Sequence, residues 1–305
     1  MNSTNVNDSH SPADSGFRLP TELELGPVRL QVADLSRSLG YYTEVLGMQP
    51  LETSTTSGVQ AVLGAADGTP LVELQERPGA RAVPPGGRLG LYHFAVLLPD
   101  RESLGRFARH LGNIDERVGA SDHLVSEAFY LQDPDGLGIE VYADRPRDSW
   151  RFQDGQLAMD TKPLDIRNLL QASGTEDWAG MPSGTRIGHV HLHVDELSEA
   201  QAFYRNALGF EPTVWSYPGA LFLSAGGYHH HLGVNTWATG APVAGAEDAR
   251  MVEWELIVPS ASDAEAVARS LRTRGFEVAS HADGFSSSDP WGVDVRIRTG
   301  NTSRQ

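Results

Sequence analysis

The sequence predicts an α+β protein built from four βαβββ modules. Three observations lead to this fold class: the two halves of the chain repeat each other, each repeat reads as a strand followed by a helix, and turn motifs inside hairpin patterns follow two of the helices. A chain of 305 residues has room for two ordinary domains. We therefore expect two modules in each half.

The first and third modules begin with the same pattern. GPVRLQVADLSRSLGYYTEVLGM begins at Gly26, and GHVHLHVDELSEAQAFYRNALGF begins at Gly188, 162 positions later. Each copy alternates as a strand does, continues with an acidic cap, and then places apolar residues at helical spacing up to a glycine. A repeat of this length reports architecture rather than chemistry. The aligned pairs are Val32 with Val194, Leu35 with Leu197, Tyr42 with Tyr204, Leu46 with Leu208, and Gly47 with Gly209.

The second and fourth modules follow the same plan less clearly. LYHFAVLLPDRESLGRFARHLG starts at Leu91, and MVEWELIVPSASDAEAVARSLRTRG starts at Met251. Each predicted helix is followed by a hairpin pattern with a DPxG turn, the first starting at Asp133 and the second at Asp289. All four segments therefore fit one module plan.

Proline, glycine and polar residues mark the predicted boundaries. RPGARAVPPGG at 77–87 separates the first two modules, and residues 145–182 separate the halves, with a short helical pattern around Leu164 to Gln171. The Ser/Asn-rich start of the chain is typical of disorder. We expect a disordered tail over 1–20, an N-terminal domain over 21–147, a linker with a short helix over 148–180, a C-terminal domain over 181–299, and a tail over 300–305.

Composition argues against several classes of function. The net charge is −16 without a basic run, so neither nucleic acid nor an anionic membrane surface is an expected partner. The chain has no cysteine, so any metal must be bound by histidine and carboxylate. No long apolar run predicts a transmembrane helix or a signal peptide, and we expect a cytoplasmic protein. The sequence leaves open whether the chain forms a homo-oligomer.

Eight of the eleven histidines fall into four patches. A lone strand histidine is more often a packed or surface residue than a ligand. In HVHLHV, however, three histidines alternate and share one face of a strand, which is an odd choice for a plain core. In HHH, before LGVNTW, strand alternation sends the middle histidine to one face and its neighbours to the other. The patches are His93; His123; His189, His191 and His193; and His229, His230 and His231.

Glu140 is an isolated carboxylate in the stretch SDHLVSEAFYLQDPDGLGIE, which covers residues 121–140. Its neighbours Ile139 and Val141 are apolar and belong to the same predicted strand. An ionised carboxylate in such surroundings is costly unless a cation meets it. A metal ion and a buried arginine such as Arg29 are the two candidate partners.

The repeated modules resemble the vicinal oxygen chelate superfamily. The βαβββ plan and the signatures V-x-[DE]-L and [FY]-Y-x3-LG carry the resemblance over nearly all of residues 21–299. It implies two glyoxalase/extradiol-dioxygenase-like domains whose paired modules curl into open β-barrels around a metal. The superfamily includes dioxygenases, glyoxalases, antibiotic-modifying enzymes and metal-free binding proteins, so this resemblance alone does not determine function.

The resemblance also implies a set of metal ligands. The superfamily places ligands at the start of the first strand and on the last strand of a module. In modules two and three these positions hold His93, Glu140 and His189. Two histidines and one carboxylate form a facial triad that suits Fe(II), with Mn(II) as a close substitute.

The corresponding positions in modules one and four are unsuited to a metal. They hold Pro27, Glu253 and Arg296. Proline has no ligating side chain, and a guanidinium stays protonated and repels a cation. We expect this set to bind no metal and Glu253 to pair with an arginine.

A narrower motif resembles the type I extradiol ring-cleaving dioxygenases, especially the two-domain bacterial catechol 2,3-dioxygenase group. The motif H-x6-Y-x2-DP-x-G-x3-E runs from His123 through Tyr130 to Glu140, and FLSAGGYHHHLGV resembles the segment with the family's acid–base histidine. The resemblance implies that His230 transfers protons and that His123 and Tyr130 hydrogen-bond the substrate oxygens. It implies a catecholic substrate, O2, and a 2-hydroxymuconic semialdehyde type of product.

The ligand positions depart from the family in one respect, and two other functions stay open. Many extradiol enzymes carry all three ligands in the C-terminal half, whereas here two lie in module two and one in module three. We therefore expect modules two and three to pair with each other. One alternative is a metal-dependent lyase or isomerase of the glyoxalase type, with Glu73 as a spare carboxylate. The other is a metal-free protein that binds an aromatic ligand.

Overall fold

The structure is a computed structural model that describes residues 16–51 and 58–300. It contains two eight-stranded sheets and one two-stranded hairpin, together with helices, so the predicted α+β class is confirmed. Residues 1–15 of the predicted disordered tail, and 301–305 at the other end, lie outside the described residues. Within the two described ranges, no helix is long and apolar enough to span a membrane.

The first half of the chain forms modules one and two. In chain order, its elements are β1 (Glu24–Val32), α1 (Leu35–Glu44), β2 (Gln49–Pro50), β3 (Ala61–Gly64), β4 (Pro70–Glu76), β5 (Gly90–Leu97), α2 (Arg101–Asn113), β6 (Gly119–Asp122), β7 (Ser126–Gln132) and β8 (Gly138–Asp144). A linker follows, with a single 3-10 turn (Arg147–Ser149), β9 (Phe152–Gln153), β10 (Gln156–Leu157) and α3 (Ile166–Ala172). The short helix expected around Leu164 to Gln171 is therefore confirmed.

The second half forms modules three and four. Its elements are β11 (Arg186–His193), α4 (Leu197–Ala200), a π-helical continuation (Gln201–Ala207), β12 (Glu211–Val214), β13 (Ala220–Ser224), β14 (Leu232–Asn235), β15 (Arg250–Val258), α5 (Ala261–Thr273), β16 (Ala279–His281), β17 (Gly284–Ser288) and β18 (Asp294–Thr299). The two copies of the repeat differ at the start of their helices. Asp34 caps α1 by accepting the backbone N–H of Arg37, whereas the side chain of Glu196 makes no such bond at α4.

Each large sheet combines modules from both halves of the chain. The first sheet has the order β16-β17-β18-β15-β1-β4-β3-β2, and the second has the order β12-β13-β14-β11-β5-β8-β7-β6. The first sheet therefore joins modules one and four, and the second joins modules two and three. The expected pairing of modules two and three is confirmed by the antiparallel contact of β5 with β11. The domain boundaries at 21–147 and 181–299 stay a prediction.

In each half of the chain, a tyrosine on the first helical segment bonds to the DPxG turn of the next module. The hydroxyl of Tyr42 donates to Oδ2 of Asp133 at 3.2 Å, and that of Tyr204 donates to Oδ2 of Asp289 at 2.7 Å. The other oxygen of each aspartate accepts two backbone N–H groups of its own DPxG turn. The last glycine of each turn has a φ of 81° or 78°, which favours glycine. The DPxG motif thus closes a hairpin and accepts a hydrogen bond from the helical segment of the preceding module.

The linker packs against both halves. A Cβ added to Gly105 of α2 would lie 2.8 Å from the carbonyl oxygen of Leu169, so glycine allows α3 to approach α2 closely. Oε1 of Gln156 accepts the backbone N–H groups of Trp215 and Ser216 at 3.0 and 3.1 Å. These contacts hold the linker next to module three.

We expect Tyr42→Phe and Tyr204→Phe each to lower the free energy of unfolding by about 1–2 kcal/mol, because each leaves a buried carboxyl oxygen without its hydroxyl donor. Urea unfolding of the purified variants measures this difference. Tyr41→Phe is the matched control, since the Tyr41 hydroxyl is buried without a hydrogen-bond partner among the described residues. A loss of stability in Tyr41→Phe as large as that in Tyr42→Phe would contradict the assignment.

Candidate metal centre

Three side chains of the second sheet meet at one point. His93 lies on β5, Glu140 on the adjacent β8, and His189 on β11, which pairs with the other edge of β5. Nε2 of His93 is 3.0 Å from Oε2 of Glu140 and 3.4 Å from Nε2 of His189. The third side of this triangle, from Nε2 of His189 to Oε2 of Glu140, is 3.3 Å. In the described part of the chain, this is the group of histidine and acidic residues that could hold a metal.

The triangle fits one face of a six-coordinate metal. Two ligand atoms about 2.1 Å from an octahedral metal, in adjacent positions, are about 3.0 Å from each other. Measured separations of 3.0–3.4 Å are close to this value. All three side chains are buried, and their strands hold them in place. Three ligands on one face leave the opposite coordination positions open, as in the facial triad of non-haem iron proteins.

The strand register explains why the three side chains converge. His189 lies opposite Ala95 on one edge of β5, and Glu140 lies opposite the same Ala95 on the other edge. His93 is two residues from Ala95, so both side chains lie on the same face of β5. The methyl group of Ala95 is the smallest side chain that could stand between the imidazole and the carboxylate, and it leaves room for an ion.

The protonation states suit cation binding. Burial lowers the pKa of His189 to about 4, although Glu140 opposes the shift. Burial alone would raise the pKa of Glu140, but the interactions with His189 and His93 outweigh it and hold that pKa well below its usual range. An ionised Glu140 beside the neutral imidazole of His189 leaves a buried negative charge, which a divalent cation would neutralise.

Arg29 is not the partner of Glu140. It lies in the first sheet, where Nε and Nη2 are both 2.8 Å from Oε2 of Glu73 and Nη1 is 3.3 Å from Oε1 of Glu253. The alternative of an Arg29–Glu140 ion pair is therefore wrong. Glu73, the spare carboxylate of the lyase alternative, is likewise engaged in the other sheet rather than near the triad.

The first sheet places an arginine where the second has alanine. On β1, Arg29 lies opposite Glu253 of one neighbouring strand and opposite Glu73 of the other. Ala95 has the same place in the second sheet, between His189 and Glu140. The expectation that Glu253 pairs with an arginine is thus confirmed. Arg296 also has an acidic partner, because Nη2 pairs with Asp283. That no metal binds near Pro27, Glu253 and Arg296 stays a prediction.

A cavity of about 340 Å³ adjoins the triad. Besides His93, Glu140 and His189, it is lined by all three residues that the sequence suggested for catalysis: His123, Tyr130 and His230. The structure therefore brings six residues from four sequence segments together. The remaining lining residues are Tyr92, Ser121, Ser126, Met159, Asp160, Thr161, His191, Tyr217, Phe222 and Trp237.

His123 and Tyr130 form a hydrogen-bonded pair on the cavity wall. Nε2 of His123 is 2.6 Å from the Tyr130 hydroxyl, and Nδ1 is 2.9 Å from the backbone carbonyl of Asp160. Since the carbonyl can only accept, Nδ1 of a neutral His123 donates to it and Nε2 accepts from the Tyr130 hydroxyl. Burial, with Glu140 adding to it, raises the pKa of Tyr130 well above its usual value, so the hydroxyl keeps its proton.

His230 reaches the cavity and its two neighbours do not line it. The three histidines precede β14, which begins at Leu232, and so lie just before the strand rather than inside it. The ring of His230 is 4.1 Å from that of His189 and 5.0 Å from that of Phe222, measured between centroids. Strand alternation left open whether His230 or its two neighbours face the cavity. In the structure, His230 faces it.

Several lining residues escaped the sequence analysis. Met159, Asp160 and Thr161 come from the linker, and Tyr217 donates or accepts a hydrogen bond with Thr161 at 3.0 Å. None of the sequence motifs includes them. His191 had a visible signal, since it alternates with His189 in HVHLHV and lines the same cavity.

Comparison with known proteins finds similarity over most of the chain. The family described as Glyoxalase/Bleomycin resistance protein/Dioxygenase superfamily matches residues 24–141 and 186–295. A protein named catechol-2,3-dioxygenase from Bacillus subtilis (strain 168) is 41% identical over 273 residues, which cover 88% of this chain and 94% of that protein. Both matches extend over most of the chain.

Solved structures share the fold. A putative dioxygenase from Bacillus subtilis has a TM-score of 0.63 at 12% identity and covers 93% of this chain and 86% of its own. Glyoxalase I from Zea mays has a TM-score of 0.54 at 18% identity, over 91% of this chain and 92% of its own. At these identities the likeness concerns the fold alone. Because the family match covers more than half of its residues, this chain belongs to the glyoxalase/bleomycin resistance protein/dioxygenase superfamily.

Proposed function

We propose that this chain is a metal-dependent extradiol dioxygenase, which cleaves a catechol with O2 beside its two hydroxyl groups. The observation that carries the proposal is the buried triad of His93, Glu140 and His189 at the wall of a cavity that His123, Tyr130 and His230 also line. The relative named catechol-2,3-dioxygenase, similar over most of both chains, supports the same reaction.

The triad residues would hold Fe(II), with Mn(II) as a close substitute. Bound there, the metal would lower the proton affinity of two adjacent phenolic oxygens and would provide a path for electrons from the ring to O2. In the overall reaction, the ring C–C bond beside the diol breaks and both atoms of O2 enter the product. For catechol, this product is 2-hydroxymuconic semialdehyde.

Three residues of the chain handle the substrate hydroxyls. His230 accepts a phenolic proton and returns it later, as a general base and then a general acid. The Tyr130 hydroxyl donates its one proton to Nε2 of His123, 2.6 Å away, and its oxygen accepts a hydrogen bond from a substrate hydroxyl. All three residues already line the cavity.

The cavity walls suit a flat aromatic ring. The rings of Tyr92 and His191 each pack within 5.7 Å of Trp237, and Phe222 packs 5.7 Å from His191. Aromatic faces of this kind bind a planar ring without selecting one substituent pattern. This supports a catechol rather than an aliphatic substrate.

Anaerobic loading with Fe(II), followed by mixing with catechol in air, tests the function directly. We expect a yellow product, uptake of one O2 per catechol, and a product mass that contains two additional oxygen atoms. Metal binding without O2 uptake, together with lyase or isomerase activity on a glutathione adduct, would favour the glyoxalase-type alternative. Elemental analysis without stoichiometric metal would favour the aromatic-binding alternative.

His93→Ala should remove the metal while leaving the fold intact. Loss of one of three protein ligands should reduce iron from about one atom per chain to less than about a tenth, because the remaining pair binds too weakly. Elemental analysis and circular dichroism measure the two properties. His281→Ala is the control, since His281 is exposed on the first sheet and bonds to Ser286. Full iron occupancy in His93→Ala would sink the ligand assignment.

His230→Gln should separate metal binding from catalysis. An acid–base imidazole is worth about 10² to 10⁴ in rate, and we expect kcat to fall by this factor while iron content stays within about a fifth of wild type. Steady-state kinetics and elemental analysis measure both. Loss of iron would make His230 a ligand, and unchanged kcat would remove its acid–base role.

A carboxylated catechol should be a poor substrate. The described lining residues include two carboxylates, Glu140 and Asp160, and no lysine or arginine, so a buried substrate carboxylate would lack a cationic partner. We expect kcat/KM for 3,4-dihydroxybenzoate to be about 10- to 100-fold below that for catechol, equivalent to about 1.4–2.8 kcal/mol. The neutral methyl ester of the same acid is the control for size. Equal values for acid and ester would refute the charge argument.

A further inference from the structure

We propose that Asp144 and His229 are positioning residues that determine which nitrogen of His230 carries its proton. The proposal rests on the proposed function, in which His230 accepts a proton from the substrate, and it concerns how that histidine is prepared for this role. Asp144, His229 and His230 form a continuous hydrogen-bonded series that ends at the cavity wall.

His229 connects the other two residues directly. Nε2 of His229 is 2.9 Å from Oδ1 of Asp144, and Nδ1 is 2.6 Å from Nδ1 of His230. His229 is fully buried, with the rings of Tyr228 and Trp150 packed against it at 4.0 and 5.5 Å between centroids. The packing fixes the imidazole plane of His229 and keeps solvent away from its ring.

The carboxylate determines the direction of both hydrogen bonds. An ionised carboxylate accepts and cannot donate, so Nε2 of His229 must carry a proton. In a neutral His229, Nδ1 is then unprotonated and accepts from Nδ1 of His230. His230 therefore carries its proton on Nδ1, which leaves a lone pair on Nε2. This is the tautomer that a general base needs if it is to take a proton from a hydroxyl in the cavity.

One strand carries both the metal ligand and the start of this series. Asp144 ends β8, four residues after Glu140, and the strand period of two places both side chains on the same face. The hydroxyl of Tyr228 also bonds to Asp144, at 3.2 Å, which holds the carboxylate from a second side. Module two thereby orients the histidine that module three contributes.

The histidine tautomers can be observed without turnover. The full-length, metal-free chain, labelled with ¹⁵N at histidine, gives long-range ¹H–¹⁵N correlations that distinguish the two neutral tautomers from the cation. We expect His229 to carry its proton on Nε2 and His230 on Nδ1. A proton on Nε2 of His230 with none on Nδ1, or protons on both nitrogens of His229, would overturn the proposal.

Asp144→Asn tests the consequence for catalysis. An amide can donate as well as accept, so both tautomers of His229 should become populated. We expect kcat for catechol to fall by about ten- to a thousandfold, within the contribution of an acid–base group. Iron content and thermal midpoint should stay near wild type, and KM should change by less than about threefold. A redistribution of tautomers with unchanged kcat would refute the positioning role.

Two comparisons keep the result interpretable. Asp283→Asn replaces a partly exposed aspartate that pairs with Arg296 in the other sheet, and it should leave both kcat and the tautomers of His229 and His230 unchanged. If Asp144→Asn does not fold, the wild-type spectrum still decides the proposal. Wild-type turnover in His230→Gln would refute the proposed acid–base chemistry, while the tautomers of the wild-type chain would decide the positioning separately.

Discussion

The antiparallel pairing of β5 with β11 is the contact on which the candidate site depends. It joins module two to module three, although the two strands belong to different halves of the chain. Its register aligns His189 with Ala95, and the parallel partner β8 aligns Glu140 with the same alanine. A slip of one residue would turn one ligand to the other face of the sheet. The geometry of the triad is therefore a consequence of sheet register rather than of flexible side chains.

The carboxylates at the centres of the two sheets have different surroundings. In the first sheet, the guanidinium of Arg29 lies between Glu73 and Glu253 and neutralises their charge from within the chain. In the second, the small side chain of Ala95 stands opposite Glu140, and burial lowers the pKa of the neighbouring His189 to about 4, so that this imidazole does not neutralise the carboxylate. The same strand arrangement thus gives a self-contained ion pair in one sheet and a group of ligands that could hold an external cation in the other.

Module exchange between the halves also explains how remote segments share one cavity. The second sheet provides the triad from its centre, the loop before β14 provides His230, and the linker closes one side with Met159 and Asp160. The linker wall is held to the rest of the site by hydrogen bonds, among them those of Gln156 to module three and that of the Asp160 carbonyl to His123.

The sequence by itself determined the local structure and most of the candidate site. Alternation and helical spacing predicted the module plan, the DPxG motif predicted the turns at Asp133 and Asp289, and the motifs predicted the six residues that the cavity brings together. Such signals are local, because their periods of 2 and 3.6 residues repeat within one element. Only the tertiary structure decided that Arg29 serves the other sheet, that the linker lines the cavity, and that Asp144 and His229, 85 residues apart, form a hydrogen bond. These depend on which strands pair and in which register, and no single element contains that information.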